Sequence, residues 1–193
     1  MKTSSFTKLA LNALASLAFV VAASPAAAQH AAGAVRSAAS LQLNGAGIRS
    51  DAERGLYAAA LYLESRLSTP EAVLGNPGAK QLRVMMLRDI SAADMGDLLA
   101  RGMQSSASDE QLWTLVPALF RLGEILGDQK KLLAGDTFDI RSVPGKGTAI
   151  SINGRVQGAT FEEPGLFEAM LGMWLGPHPA DLRLKSSLLG GVL

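Results

Sequence analysis

Apolar residues in this chain change their period along its length, and that change bounds the fold. From Leu41 to Leu87 they alternate or sit in short runs. From Ser91 to Leu126 they recur at helical spacing. From Phe138 to Ile152 they alternate again, and from Leu166 to Trp174 the helical spacing returns. Strands, helices, hairpins, then helices: that order predicts an α+β fold, an antiparallel sheet covered by helices on one side. The 193 residues suit one domain of ordinary size.

Local signals divide the blocks. Leu41-Gln42-Leu43 predicts a strand running into a turn at Asn44-Gly45-Ala46-Gly47. Leu56 to Leu63 reads as a buried strand, although its alanines also suit a helix. Thr69-Pro70 opens a short helix that stops near Gly75, and Leu82 to Leu87 is another strand. Ser91 with Asp94 and Ser108 with Gln111 resemble capping boxes. The first of these helices turns Met95, Leu98, Leu99 and Met103 to one face. The second turns Leu112, Leu115, Val116, Leu119, Leu122 and Leu126, and Pro117 should kink or split it. Phe138 and Ile140, then Ile150 and Ile152, alternate on strands around a turn at Pro144-Gly145-Lys146-Gly147. Asn153-Gly154 is a strong hairpin signal. Leu166, Phe167, Met170, Leu171 and Trp174 form a helical stripe closed by Gly176, and a last helix covers Asp181 to Leu189.

The front of the chain reads differently. Lys2 and Lys8 precede a nearly continuous apolar run from Leu9 to Ala23, broken by Ser24-Pro25 and followed by Ala26-Ala27-Ala28. This is the three-part pattern of a secretory signal peptide, residues 1–28, with cleavage after Ala28. The run falls short of the roughly 20 residues that span a bilayer. Residues 29–40, rich in Ala, Gly and Ser, read as a flexible lead-in to a domain over 41–190. The expected location is periplasmic or secreted. Loss of Lys2 and Lys8 shifts the net charge from +1 to −1.

Several chemistries are excluded. A near-neutral charge argues against nucleic acid as a partner. Two histidines and no cysteine leave no ordinary zinc, haem or iron–sulfur site, so no metal and no cofactor is expected. Gly145-Lys146-Gly147-Thr148 is no phosphate loop, because Gly147 follows the lysine and Ile140 holds the earlier glycine position. Gly45-x-Gly47 lacks the third dinucleotide-binding glycine, Ser50 standing there. His178, between Pro177 and Pro179, reads as part of a surface turn.

Three stretches taken together are specific. The first is Asn44-Gly45-Ala46-Gly47-Ile48-Arg49, followed by Gly55-Leu56-Tyr57-Ala58-Ala59-Ala60-Leu61-Tyr62-Leu63-Glu64. The second is Leu87-Arg88-Asp89-Ile90-Ser91. The third runs from Val143-Pro144-Gly145-Lys146-Gly147-Thr148 through Ile152-Asn153-Gly154 to Trp174-Leu175-Gly176 and Asp181-Leu182. In order and spacing they resemble the chalcone isomerase family, and within it the exported bacterial chalcone isomerase-like proteins, over about residues 40 to 190. The resemblance implies an open-faced β-sandwich with a ligand cleft between sheet and helices.

Plant members of that family close a flavanone ring, an intramolecular addition that needs a cation and polar donors at the developing oxyanion. The family's Gly-x-Gly-x-Arg arginine falls on Arg49. The enzymes' threonine falls on Tyr57. On the following helix their tyrosine, lysine, valine and asparagine fall on Met95, Leu98, Leu99 and Gly102, and a later threonine on Met173. Polar donors have become apolar while the arginine stays, which implies little cyclase activity. The pattern is similar to that of non-catalytic plant relatives that bind fatty acids with an arginine and a tyrosine. The implied function is binding of a small apolar carboxylic acid. Arg49 would pair the carboxylate and Tyr57 would donate to it, with Met95, Leu98, Leu99 and Met173 along the tail. The alternatives are a chalcone isomerase-type intramolecular lyase with another substrate, and an envelope scaffold that binds a protein.

The residues alone allow plainer roles. Arg49 could be a solvated strand-end arginine, or a partner of Asp51 or Glu53. Tyr57 could be a core tyrosine bonded to a backbone carbonyl. Arg88 and Asp89 read as an ion pair at a strand end, and Trp174 as packing.

Overall fold

A computed structural model describes residues 41–51, 54–179 and 181–191. The expected leader, 1–28, and lead-in, 29–40, lie outside the described residues. β1 (Gln42–Asp51) and β2 (Arg54–Leu63) lead through α1 (Pro70–Gly75) to β3 (Lys80–Met86). β4 (Ile90–Ser91) opens two helices, α2 (Ala92–Gln104) and α3 (Asp109–Gln129), and β5 (Lys131–Leu132) pairs back onto β4. β6 (Thr137–Val143), β7 (Gly147–Ile152) and β8 (Arg155–Val156) follow, then α4 (Leu166–Leu175) and α5 (Leu182–Leu188). The main sheet is antiparallel, with six strands in the order β1-β2-β3-β6-β7-β8. This is the expected α+β, open-faced architecture.

Period-two alternation decides which face is buried. Leu61, Leu82, Ile140 and Ile150 pair in a row across four strands, as do Ala59, Val84, Phe138 and Ile152. All eight are in the core with Leu99, Met103, Leu115, Leu122 and α4. The other face carries a polar ladder. Arg83 forks onto Asp139 at 2.8 and 3.1 Å, and Arg141 donates twice to Gln81 Oε1.

The cap residues act as their spacing predicts. Thr69, Ser91 and Asp181 each accept a first-turn backbone N–H, and Ser108 with Gln111 forms the reciprocal box. Asn153 and Gly154 both take positive φ in the β7–β8 hairpin. Residues 56–63 are strand, as read, not helix.

Four expectations need correction. Asn44 to Gly47 is not a turn but the middle of β1, with a bulge between Leu43 and Gly45. Asn44 is buried, its Nδ2 donating to Leu67 O and Leu188 O and its Oδ1 accepting from Leu67 N. The glycines admit α5: a Cβ on Gly45 would stand 2.0 Å from Ser187 O, and one on Gly47 2.8 Å from Ser187 Cβ. Pro117 sits inside one continuous helix, α3, so of the expected kink or split the split is not there; the bond it removes would have gone to the carbonyl of Trp113, an exposed residue. α4 is not a one-sided stripe; Ala169 to Leu175 are all buried, so it is a central helix. Arg88 and Asp89 do not pair with each other: Arg88 binds Asp51 at 2.9 Å and Asp89 faces Lys131 at 3.5 Å.

Candidate functional site

Arg49 and Tyr57 stand directly opposite each other on β1 and β2, so both side chains leave the sheet on its helix-covered face. A bulge between Arg49 and Ser50 ends the regular pairing just beyond them. α4 supplies the third group. Trp174 Nε1 donates to Tyr57 Oη at 2.9 Å, and the two rings meet edge to face, 6.5 Å apart at 74°. Tyr57 is 5% exposed and Trp174 3%.

The guanidinium is the unusual member. Its Nε and Nη1 are buried, and neither has a hydrogen-bond partner among the described residues. Asp51 is bonded to Arg88. Burial pushes the Tyr57 phenol above its ordinary 10.0, against the pull of the Arg49 charge and of hydrogen bonds from Trp174 and Arg49, while Asp181 adds to the rise. The phenol therefore keeps its proton at neutral pH. An indole N–H, a phenol O–H and a guanidinium converge, and the phenol oxygen already accepts from the indole. The cluster is rich in donors and short of acceptors. A buried donor left unmatched costs about 1–3 kcal/mol, more when charged. The group that would satisfy it is an anion with at least two acceptor atoms.

A groove of about 820 Å³ opens along β1 and α5, at Gly47, Ile48 and Ser50 on the strand and at Asp181, Leu184 and Ser187 opposite. These strand residues flank Arg49. The apolar candidates lie further in. Met95, Leu99 and Met173 are buried in the core, and Leu98 packs partly against it. Gly102 and Met173 occupy the positions where the resemblance puts an asparagine and a threonine, and they face each other. A Cβ on Gly102 would stand 2.5 Å from Met173 Cγ. A methionine thus fills the seam between α2 and α4. Its neighbour Trp174 reaches Tyr57, so α4 links the polar pair to the apolar seam.

The structure sets Arg49 opposite Tyr57, the two residues the resemblance pairs, while sequence reasoning gave Trp174 only a packing role. The signal that could have found it is chemical. A tryptophan in a helix whose only charged residue is Glu168 still needs an acceptor for its N–H.

The family described as chalcone isomerase-like matches residues 23–190. Among solved structures, a fatty-acid binding protein of Arabidopsis thaliana is similar, with a TM-score of 0.58 and 16% sequence identity over 78% of this chain and 87% of that one. At that identity the likeness is one of fold. No curated protein matches the sequence.

Proposed function

Because the chain belongs to the chalcone isomerase-like family, we propose that it binds a small apolar carboxylic acid, such as a fatty acid, without turning it over. The observation that carries this reading is that the buried Nε and Nη1 of Arg49, beside the protonated Tyr57, have no hydrogen-bond partner among the described residues. A carboxylate has the charge and the paired acceptor atoms that this cluster lacks. Arg49 takes the two oxygens, and Tyr57 donates to one of them. The tail runs toward the α2–α4 seam, along Met95, Leu98, Leu99 and Met173. Methionines there suit a flexible tail, because their unbranched side chains repack easily. The enzymes' polar donors have no counterpart at these positions, which favours carriage over catalysis. The protein works outside the cytoplasm, after removal of residues 1–28, through the domain over 41–190.

The test is native mass spectrometry of the purified protein beside Arg49→Ala, followed by titration with dodecanoate. The expected result is a bound acyl mass in the wild type alone, and an affinity loss of more than about 30-fold in the variant, as for a desolvated charge pair. A loss below about 10-fold would overturn the clamp. Steady turnover of an enone phenol, abolished by Arg49→Ala, would make the protein an intramolecular lyase instead.

A further inference from the structure

Far from Arg49 in the sequence, α3 holds two large aromatic side chains in solvent. Trp113 is 77% exposed and Phe120 74%. They lie about two turns apart on one face of the helix. Single apolar residues on a surface are ordinary, but a contiguous patch with aromatic anchors marks an interaction site. Here the patch is also shallowly recessed. A depression of about 410 Å³ lies between α2 and α3, with Met103, Leu112 and Trp113 in its walls. A second, of about 560 Å³, is walled by Phe120 and Gly123. Both are lined by Val116 and Leu119, so together they make one apolar trough.

Two details narrow the occupant. The charged residues lining the trough are Asp109 in one depression and Glu124 in the other, both acidic. Nearby Arg121 is engaged elsewhere, its guanidinium 3.5 Å from the centroid of the Phe161 ring and bonded to Ala159 O. At the helical rise the two acids are about 22 Å apart along α3. The second detail is Gly123, inside α3. A Cβ there would meet nothing within 4 Å, so the fold itself does not require glycine. Glycine in a helix interior weakens the helix. Its lack of a side chain leaves the trough open beside Phe120.

We propose that this trough docks an amphipathic helix of a partner protein, apolar on the docked side and carrying Lys or Arg near both ends, about 22 Å apart. The charges disfavour the other occupants. Two copies of α3 packed face to face would set acid against acid in either orientation. An anionic lipid surface would be repelled by the same residues. The trough shares no residue with the Arg49, Tyr57 and Trp174 cluster, so this inference stands apart from the ligand reading.

The probe is a synthetic 18-residue helix with a leucine face and lysines at both ends, compared with a twin carrying glutamates there. Trp113 reports binding, since it is the exposed tryptophan and Trp174 is already buried. The expected result is a blue shift of the emission with the lysine peptide and none with its twin. The affinity should weaken about 10-fold or more between 50 and 500 mM salt. Gly123→Leu should abolish binding while the melting temperature stays equal or rises, and Phe120→Ser should weaken binding at least 10-fold. Equal binding of both peptides, wild-type binding by Gly123→Leu, or no binding at millimolar peptide would each overturn the proposal. So would a blue shift on zwitterionic vesicles alone, or a dimer in sedimentation that Gly123→Leu dissolves.

Discussion

Trp174 decides what the Tyr57 hydroxyl can do. With one lone pair taken by the indole N–H, and Arg49 offering only donors, the phenol proton has to point toward an incoming acceptor. Trp174→Phe keeps the ring packing but frees that lone pair, so the hydroxyl can rotate away. We expect dodecanoate affinity to fall about 10-fold, the worth of one neutral hydrogen bond. Tyr57→Phe should then cost little more in that background than Trp174→Phe alone, because the two act as one unit. Additive losses in a double-mutant cycle would deny the indole this positioning role. At this scale two of the three groups were legible. Arg49 and Tyr57 follow from matching motif positions. The indole bond depends on how α4 lies over β2, and helical spacing cannot tell which buried side chain reaches a partner.

At the scale of elements, the seam between β1 and α5 is the tightest approach. Gly45→Ala sets a Cβ against the Ser187 carbonyl, and backbone cannot yield as a side-chain tip can. The expected cost is about 3 kcal/mol, with amide exchange in α5 rising ahead of the rest of the domain. Gly75→Ala, where a Cβ would meet nothing within 4 Å, should stay within about 0.5 kcal/mol of wild type. Unchanged exchange in α5 of Gly45→Ala would mean that the two elements separate more easily than their packing implies. Strands and capped helices were legible because their signals are local: alternation, Ser108 with Gln111, Asn153-Gly154. Asn44-Gly45 was misread for the same reason. It carries a local turn signal, but the partner that gives it meaning, α5, is distant in sequence. The surround of α4 was hidden likewise, since a stripe shows one wet side only if neighbours leave one.

For the whole molecule, the two buried guanidinium nitrogens of Arg49 that lack a partner among the described residues are a stability deficit held for function. Arg49→Met removes the unmatched donors while keeping an apolar stem. The ligand-free variant should therefore melt higher than the ligand-free wild type, by about 1–3 kcal/mol, or a few degrees for a domain of this size. Saturating dodecanoate should raise the melting temperature of the wild type and leave Arg49→Met where it is. A variant that melts lower than the ligand-free wild type would show that Arg49 already has its partner within the fold. The overall architecture was legible because blocks of one period followed by blocks of another leave few layer arrangements.

The order of the strands also sets a timetable. β3 and β6 are neighbours at the centre of the sheet, yet the helices α2 and α3 separate them along the chain. A chain that emerges N-terminus first, from a ribosome or from an export channel, presents β3 well before β6. During that time β1, β2 and β3 can form only a half-sheet, whose growing edge, β3, carries the apolar Leu82, Val84 and Met86. The newborn chain thus passes through a stage at which it is stickier than either its beginning or its end, and holding it there unpaired is work for a chaperone.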